Sequence, residues 1–331
     1  MKLEKSFEKL EYSKALESDK EAVQWLTKNN NKFGQFVGGE FISKKDAETI
    51  TVVNPADNST LAHIEIADKK LVDLAVKSAG EAQEKWYKSG GHARAKVLYA
   101  LARLIQKNAR VISVLETLDN GKPIRESRDA DIPLAVRHFY YHAGWAQLQE
   151  SELKNSEPVG VVAQIIPWNF PFLMLAWKIS PALAMGNAIV LKPAENTPLT
   201  AMFFAGLCEE AGVPDGVINI INGAGETGAA LAAHPNVNKV AFTGSTAVGR
   251  AIRKSTAGQG KKLTLELGGK SAFVVFEDAD LDSVVEGVVD AIWYNQGEVC
   301  CAGSRLLVQA GVEETLVKKL KERMANLRFG N

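Results

Sequence analysis

The stretch between Tyr294 and Arg305 contains two adjacent cysteines in a setting that suits chemistry. It reads Y-N-Q-G-E-V-C-C-A-G-S-R, so small residues and glycines surround Cys300 and Cys301. A loop of this kind can present a thiol to a cleft, although free cysteines are commonly buried packing residues. Covalent catalysis by a thiol needs a route to the thiolate, donors for the oxyanion and a base that releases the acyl group. Glu266, in L-T-L-E-L-G-G-K, is the candidate base.

Asn169 follows an apolar run that predicts a buried strand. Residues 158–171 read P-V-G-V-V-A-Q-I-I-P-W-N-F-P, the continuous pattern of a strand covered on both faces of a parallel sheet. The prolines end this strand, so Trp168 and Asn169 are expected at its carboxyl end, where open α/β sheets bind ligands. The Asn169 amide can donate a hydrogen bond to an oxyanion. An Asx turn before Pro171 is the alternative interpretation.

Other strand patterns bring charged residues and glycines to the same edge. N-A-I-V-L-K-P-A-E predicts a strand that ends at Lys192 and Glu195. V-I-N-I-I-N leads into G-A-G-E-T-G, which matches the dinucleotide pattern G-x-G-x-x-G but is a weak signal alone. K-V-A-F leads into T-G-S-T-A-V-G-R, a second Gly-Ser element at the start of a helix. Strands alternating with helices predict an α/β fold with a parallel sheet.

Together these motifs resemble the aldehyde dehydrogenase superfamily over residues 33–330. The resemblance implies an α/β fold of the aldehyde dehydrogenase type, with a Rossmann-like cofactor domain followed by the first part of an α/β catalytic domain. It selects Cys300 as the nucleophile and leaves Cys301 as a neighbouring packing residue. It also implies that the Asn169 side chain and the Cys300 backbone N–H bind the oxyanion, with Glu266 as the base.

The resemblance also implies NAD as the cofactor. Lys192 would donate a hydrogen bond to the adenosine ribose. Glu195 would accept from the ribose 2′-hydroxyl and repel a 2′-phosphate, which makes NADP the less favoured cofactor. The pyrophosphate would lie on the helix that opens at Ser245, in contact with Ser245, Gly244 and Gly249. The predicted cofactor-binding residues are Ile165, Pro167, Trp168, Lys192, Glu195, Gly225, Phe242, Gly244, Ser245 and Leu267.

These residues predict NAD-dependent oxidation of an aldehyde to a carboxylic acid through a thiohemiacetal and a thioester on Cys300. Lys178, in W-K-I-S-P, is a candidate proton-relay partner, and a helix-surface lysine is the alternative. Two other functions stay open: a CoA-acylating aldehyde dehydrogenase and a non-catalytic scaffold on a dehydrogenase fold. The CoA-acylating relatives commonly lack the carboxylate at Glu266, and a scaffold would be expected to have lost Cys300, Glu266 or Asn169. The preferred aldehyde is not predicted.

The chain is predicted to divide into three parts. Residues 1–32 form a charged, helical lead whose length and W-L ending resemble the family-16 branch of the superfamily. Residues 33–265 form the Rossmann-like NAD-binding domain, with a strand-forming segment near residues 146–160. Residues 266–331 begin the catalytic domain. Because an aldehyde dehydrogenase normally continues well beyond this point, we expect a C-terminally truncated fragment, and a homo-oligomer for the complete protein.

Composition argues against several classes of partner. The 331 residues are 46% hydrophobic, and 39 basic residues balance 39 acidic ones, so no net field favours nucleic acid or a membrane surface. Three cysteines cannot build a disulfide framework, and the N-terminus lacks an apolar or Arg-rich targeting pattern. The prediction is a cytoplasmic protein acting on a small aldehyde. His138 and His142 have a metal-ligand spacing but no third ligand, so no metal is predicted.

Overall fold

The computed structural model describes residues 18–328. Of the predicted helical lead, this range contains helix α1 (Lys20–Lys28), which packs against the rest of the protein. Ala22 and Leu26 are buried, and the Trp25 ring stacks on Phe33 with the ring centroids 4.8 Å apart. Residues 1–17, which carry much of the family-16 interpretation, lie outside the described residues.

Strands and helices follow one another much as the sequence predicts. The strands are β1 (Lys32–Phe33), β2 (Gln35–Val37), β3 (Glu40–Ile42), β4 (Thr49–Val53), β5 (Thr60–Glu65), β6 (Val161–Ile165), β7 (Ala188–Lys192), β8 (Ile218–Ile220), β9 (Lys239–Gly244), β10 (Lys262–Leu267), β11 (Ala272–Val275) and β12 (Arg305–Val308). The helices after α1 are α2 (Lys69–Lys88), α3 (Gly91–Lys107), α4 (Ala109–Asn120), α5 (Ile124–Glu126), α6 (Ile132–Glu152), α7 (Pro171–Ala184), α8 (Leu199–Glu210), α9 (Gly225–Ala233), α10 (Thr246–Ser255), α11 (Leu281–Trp293) and α12 (Glu313–Met324). A π turn (Ser127–Asp131) joins α5 to α6.

The central element is a seven-stranded sheet in the order β10-β9-β6-β7-β8-β2-β3. The strands from β10 to β8 are parallel, and the β2–β3 hairpin closes one edge in antiparallel pairing. Every residue of β6, β7 and β8 is buried, because apolar helices cover both faces of the sheet. This confirms that these continuous apolar runs are strands buried on both faces.

The β2–β3 hairpin turns at Gly38 and Gly39. Both glycines have positive φ, at 66° and 87°. Two consecutive positive φ angles are the requirement of a type I′ turn, whose twist matches that of the strands it joins. A Cβ on Gly39 would also lie 2.3 Å from the Asp215 carboxylate.

The prediction of a strand-forming segment near residues 146–160 is wrong. Helix α6 continues to Glu152, and residues 153–160 form turns and irregular chain without strand pairing. The helix continues because Ala143, Ala146 and Gln149 lie on one buried face. Gln149 is held there by the Nη2 group of the buried Arg94.

The last part of the described chain forms a separate two-stranded parallel sheet, β11 with β12. Helices α11 and α12 cover its inner face around Val275, Leu316 and Leu320. Strand β10 pairs with β9, so Glu266 lies within the seven-stranded sheet, just before this smaller unit begins. None of the helices among residues 18–328 combines the length and apolar character that a bilayer span requires.

Candidate active site

The carboxyl ends of the parallel strands gather the residues singled out in the sequence. Asn169 follows β6, Lys192 ends β7, and Ser245 follows β9. Glu266 is the penultimate residue of β10, and Gly225 begins the helix that follows β8. Parallel strands end at one edge of their sheet, so the chain collects these separate motifs in one place.

A cavity of about 480 Å³ is lined by residues of α7 and by one face of β6, β9 and β10. Cys300, Glu266 and Lys178 are among the residues that line it. Gln164 and Thr243 also line it, and their Oε1 and Oγ1 atoms are buried without a hydrogen-bond partner among residues 18–328. Buried polar atoms are normally paired, so these two oxygens are acceptors available to a polar ligand or to water.

Of the two adjacent cysteines, only Cys300 lines this cavity. Both thiols are exposed, whereas Cys208 is fully buried. Partial burial and the neighbouring Cys301 raise the pKa of the Cys300 thiol. The described residues therefore do not hold it as a thiolate at neutral pH, and its nucleophilic form needs a further source of positive charge or a base.

Lys178 and Glu266 line the same cavity and interact electrostatically. Burial lowers the pKa of Lys178 to about 8, while the negative charge of Glu266 opposes that change. Lys178 therefore loses its proton far more easily than a surface lysine, which is the property that a proton-relay group requires. Its helix is fixed to the sheet by Gln164, whose Nε2 donates to the Lys178 carbonyl at 2.7 Å.

The Asn169 side chain is joined directly to the cysteine loop. Its Nδ2 atom donates to the carbonyl oxygen of Glu298 at 2.6 Å, two residues before Cys300. A side-chain amide has two N–H bonds, so one donor remains for an oxyanion. Asn169 therefore contacts the loop that carries Cys300, and an oxyanion hole formed by the Asn169 amide and the Cys300 backbone N–H stays a prediction.

The sequence analysis did not identify two residues that support this region. Asn295 is completely buried, and its Nδ2 donates to the Asn169 carbonyl at 2.8 Å. Its backbone N–H donates to Glu126 Oε2 at 2.7 Å, and burial raises the pKa of this glutamate. The pair is 169 positions apart in the sequence, which is why no local pattern reveals it. The only local signal is Asn295 itself, a polar residue two places before Gly297.

A buried salt bridge supports this region of the protein. Lys122 and Asp131 form a salt bridge that is almost completely shielded from solvent. The Lys122 ammonium also lies 4.0 Å from the centre of the Phe170 ring, in a cation–π contact. Phe170 in turn stacks on Tyr294 at 6.5 Å between ring centroids. This cluster supports the residues that flank Asn169 and the start of the cysteine loop.

The predicted phosphate-binding element has a suitable shape. Ser245 is the N-cap of α10, and its side chain accepts a hydrogen bond from the Val248 N–H at 3.3 Å. A Cβ on Gly244 would lie 2.5 Å from the Phe242 ring, and one on Gly249 would lie 2.6 Å from Leu267. A side chain at either position would therefore displace Phe242 or Leu267. The helix N-terminus leaves N–H groups that suit an anion.

Lys192 and Glu195 form the predicted pair at the end of β7. Lys192 is 4% exposed, and its Nζ donates to the Pro193 carbonyl at 2.8 Å. Its distance to Glu195 Oε2 is 3.4 Å, and half of the Glu195 side chain is exposed. Burial lowers the pKa of Lys192, and Glu195 opposes that change.

The other predicted cofactor contacts occupy different surroundings. Ile165 and Phe242 belong to the core on one face of the sheet, and Leu267 packs against that core. Trp168 is 43% exposed, and the space around Gly225 is open. The structure brings Pro167 to the same edge, between β6 and Trp168. Contact of these residues with a cofactor stays a prediction.

His138 and His142 form an aromatic stack. Their rings lie 6.0 Å apart, and His138 also stacks on Trp177 at 5.8 Å. Burial lowers the pKa of both histidines. In the described part of the chain, no group of three or more His, Cys, Asp or Glu side chains is arranged to hold a metal ion.

This α/β architecture, with its sheet edge and cysteine loop, matches a known class of dehydrogenase. The sequence profile of the aldehyde dehydrogenase family matches residues 41–331. An aldehyde dehydrogenase of Alternaria alternata is 45% identical over 311 residues, which are 90% of this chain and 63% of that protein. One of Davidiella tassiana is 45% identical over 319 residues, 91% of this chain and 64% of that protein.

A solved structure shows the same similarity in three dimensions. The NAD⁺ complex of an aldehyde dehydrogenase from Bacillus cereus superposes with a TM-score of 0.88 at 41% identity, covering 96% of this chain and 66% of that one. The chain therefore belongs to the aldehyde dehydrogenase family. It spans 63% of the length of its Alternaria alternata relative.

Proposed function

We propose that the protein oxidises an aldehyde to a carboxylic acid with NAD, through a covalent intermediate on Cys300. The observation that carries this proposal is a shared cavity, because Cys300 and Glu266 line the same space. Asn169, the candidate oxyanion donor, is joined to the same loop through Glu298. A nucleophile, a base and an oxyanion donor are the three groups that acyl chemistry on a thiol requires.

The residues at the sheet edge fit a dinucleotide. The N-terminus of α10 behind the Ser245 cap suits a pyrophosphate, and the Lys192–Glu195 pair offers a donor and an acceptor to a ribose. The Bacillus cereus relative has been solved with NAD⁺, which supports the same cofactor here. Bound NAD would accept the hydride that leaves the aldehyde carbon, and its cationic ring would supply positive charge near the thiol.

The protein side of the reaction follows from this arrangement. The Cys300 thiolate attacks the aldehyde carbon, and the free N–H of Asn169 stabilises the oxyanion. Loss of hydride from the thiohemiacetal leaves a thioester on Cys300. Glu266 then takes a proton from water, which attacks the thioester and releases the carboxylic acid and the Cys300 thiolate. Lys178, with its lowered pKa, can carry the proton of Glu266 away from the cavity.

Two alternatives predict different products. A CoA-acylating enzyme would transfer the acyl group from Cys300 to CoA, and a scaffold would bind NAD without chemistry. Glu266 lines the cavity beside Cys300, which favours hydrolysis over transfer to CoA. The comparison to make is NADH formation from an aldehyde and NAD, with and without CoA. A strict requirement for CoA would contradict hydrolysis, and no NADH under either condition would support the scaffold.

The decisive variants are the two cysteines, tested in the complete gene product. Replacing the nucleophile removes the covalent step, so Cys300→Ala should lower the rate of NADH formation at least about 1,000-fold. Cofactor affinity should remain. Cys301→Ala, the matched control, should change the rate far less. An active Cys300→Ala enzyme together with an inactive Cys301→Ala enzyme would overturn the assignment.

Further properties of the complete protein belong to the same proposal. Its substrate would be a small aldehyde whose identity depends on the cavity wall, and its assembly would be a homo-oligomer. The cytoplasm is the proposed location, supported by three cysteines that are all free thiols. The division into a NAD-binding domain (residues 33–265) and a catalytic part (residues 266–331) is also proposed. The pairing of β10 with β9 supports a boundary a few residues later.

A further inference from the structure

Three consecutive residues at the start of the cysteine loop have left-handed backbone conformations. The φ angles of Asn295, Gln296 and Gly297 are 48°, 59° and 83°. Glycine adopts this region freely, whereas residues with a Cβ are disfavoured there, asparagine less than most. Such a turn persists only where its surroundings hold it in place. The hydrogen bonds of Asn295 show which groups do so.

Glu126 holds the backbone of this turn. Its Oε2 atom accepts the Asn295 N–H at 2.7 Å, and the glutamate is 8% exposed at the end of α5. A buried backbone N–H that loses its acceptor is strongly disfavoured, so the carboxylate fixes the position of Asn295. Gln296 adds a second tie, because its Nε2 donates to the Gly121 carbonyl at 2.7 Å.

The Asn295 side chain then joins two loops. Its Nδ2 donates to the Asn169 carbonyl at 2.8 Å and to the Glu298 carbonyl at 3.3 Å. The Asn169 Nδ2 donates to that same Glu298 carbonyl at 2.6 Å. The loop that carries the oxyanion donor and the loop that carries Cys300 therefore share one buried amide.

We propose that Glu126 and Asn295 are positioning residues, which set the Asn169 amide against the Cys300 thiol. Glu126 Oε2 accepts the Asn295 N–H, and the Asn295 Nδ2 donates to the carbonyl groups of Asn169 and Glu298. They act through Asn169 and Glu298. The inference rests on the proposed function, because a fixed distance between donor and thiol matters where an oxyanion forms. A displacement of about 1 Å at such a site can lower a rate about 100-fold.

The first test replaces the bridging amide by a group of the same shape. Asn295→Asp removes both N–H donors and places a carboxylate oxygen against two carbonyls. In the complete gene product, the rate of the first-turnover NADH burst should fall about 10-fold to 100-fold. The dissociation constant for NAD should stay within about twofold, because the cofactor edge is untouched. An unchanged burst rate would overturn the role of Asn295.

The second test distinguishes the role of Glu126 as a hydrogen-bond acceptor from the role of its negative charge. Glu126→Ala removes the acceptor and should slow the burst by a similar factor. Glu126→Gln keeps an acceptor oxygen and should restore the rate to within about threefold of the original. Asp129→Ala, an exposed acidic residue paired with Arg128 near the same helix, is the matched control and should have no effect. A Glu126→Gln enzyme as slow as Glu126→Ala would contradict positioning by hydrogen bonding.

A third measurement does not depend on activity. Backbone amide exchange over residues 294–303 should accelerate about 10-fold in Glu126→Ala and remain unchanged in Asp129→Ala. Faster exchange together with a slower burst supports the proposal. Unchanged exchange, or faster exchange with an unchanged burst, overturns it. If the unaltered protein produces no NADH from any aldehyde, the proposed function fails. The exchange result then decides separately whether Glu126 holds the turn.

Discussion

Strands β7 and β11 have similar sequences but contrasting surroundings. The first reads A-I-V-L-K and the second A-F-V-V. Every residue of β7 is buried, because it lies between two parallel neighbours and beneath α2 and α7. Strand β11 pairs with β12 alone in the described part of the chain, and Val274, Phe276 and Leu307 are at least half exposed. A local apolar pattern thus predicts that a strand forms. Whether that strand is buried depends on segments that are distant in the sequence.

The same substitution in both strands gives the largest expected effect. Val190 is 0% exposed and Val274 is 52% exposed. Val190→Asp would bury an unpaired charge and should lower the free energy of unfolding by about 4 kcal/mol or more. Val274→Asp should lower it by less than about 0.5 kcal/mol in the 331-residue chain. Denaturant unfolding monitored by circular dichroism measures both.

The complete gene product sharpens this contrast. Its relatives extend well beyond the part that this chain spans, and we expect the corresponding segment to cover the outer face of β11 and β12. Val274→Asp should then destabilise the complete protein nearly as much as Val190→Asp does. In the 331-residue chain, the substitution should instead increase solubility, since exposed apolar strand edges promote aggregation. Equal and small effects of Val274→Asp in both lengths would contradict the expected cover.

Glu266 lies in the seven-stranded sheet next to the smaller β11–β12 unit. Its substitution should separate formation of the thioester from its hydrolysis. Glu266→Gln keeps the shape but removes the base, so the thioester should form and then hydrolyse slowly. We expect a full first-turnover burst of NADH, followed by steady turnover that is about 100-fold slower. Rapid mixing with an aldehyde and NAD measures both phases. Loss of the burst itself would mean that Glu266 activates the thiol.

The sequence predicts the large sheet well because its strands are local patterns. The runs before Asn169 and Lys192 are continuous and apolar, which identifies both the strands and the edge where they end. The prediction of a strand near residues 146–160 was wrong because the buried face of α6 continues to Gln149. The contact between Glu126 and Asn295 could not be predicted, since it depends on how two distant segments fold together. Local propensity does not report such pairs.

The burial of Lys178 in the cavity wall should make the free energy of unfolding depend on pH. Its pKa is lowered to about 8 by burial, against an ordinary value of 10.5. Between these values the unfolded chain binds more protons than the folded protein, so the free energy of unfolding should rise with pH. The slope from one such group is at most about 1.4 kcal/mol per pH unit.

Substitution isolates this contribution. Lys178→Met should remove that part of the slope between pH 8 and 10 while keeping the length of the side chain. Lys154→Met, at an exposed lysine, should leave it unchanged. Glu266→Gln removes the opposing negative charge and should lower the pKa of Lys178 further. Identical slopes in the original protein and in Lys178→Met would show that Lys178 is a solvated surface lysine.

Glu195 gives the smallest expected effect, because half of its side chain is exposed and its charge is screened by solvent. Glu195→Gln removes the repulsion of a 2′-phosphate but adds no group that binds one, so the affinity ratio of NAD to NADP should fall only about threefold. Glu209→Gln, at an exposed position near the end of α8, is the matched control and should leave the ratio unchanged. Titration calorimetry with each cofactor measures the ratio without turnover, so the result does not depend on the chemistry at Cys300. If the ratio stays the same in Glu195→Gln, discrimination between the cofactors comes from another part of the edge, and the buried Lys192 at the end of β7 is the next residue to replace.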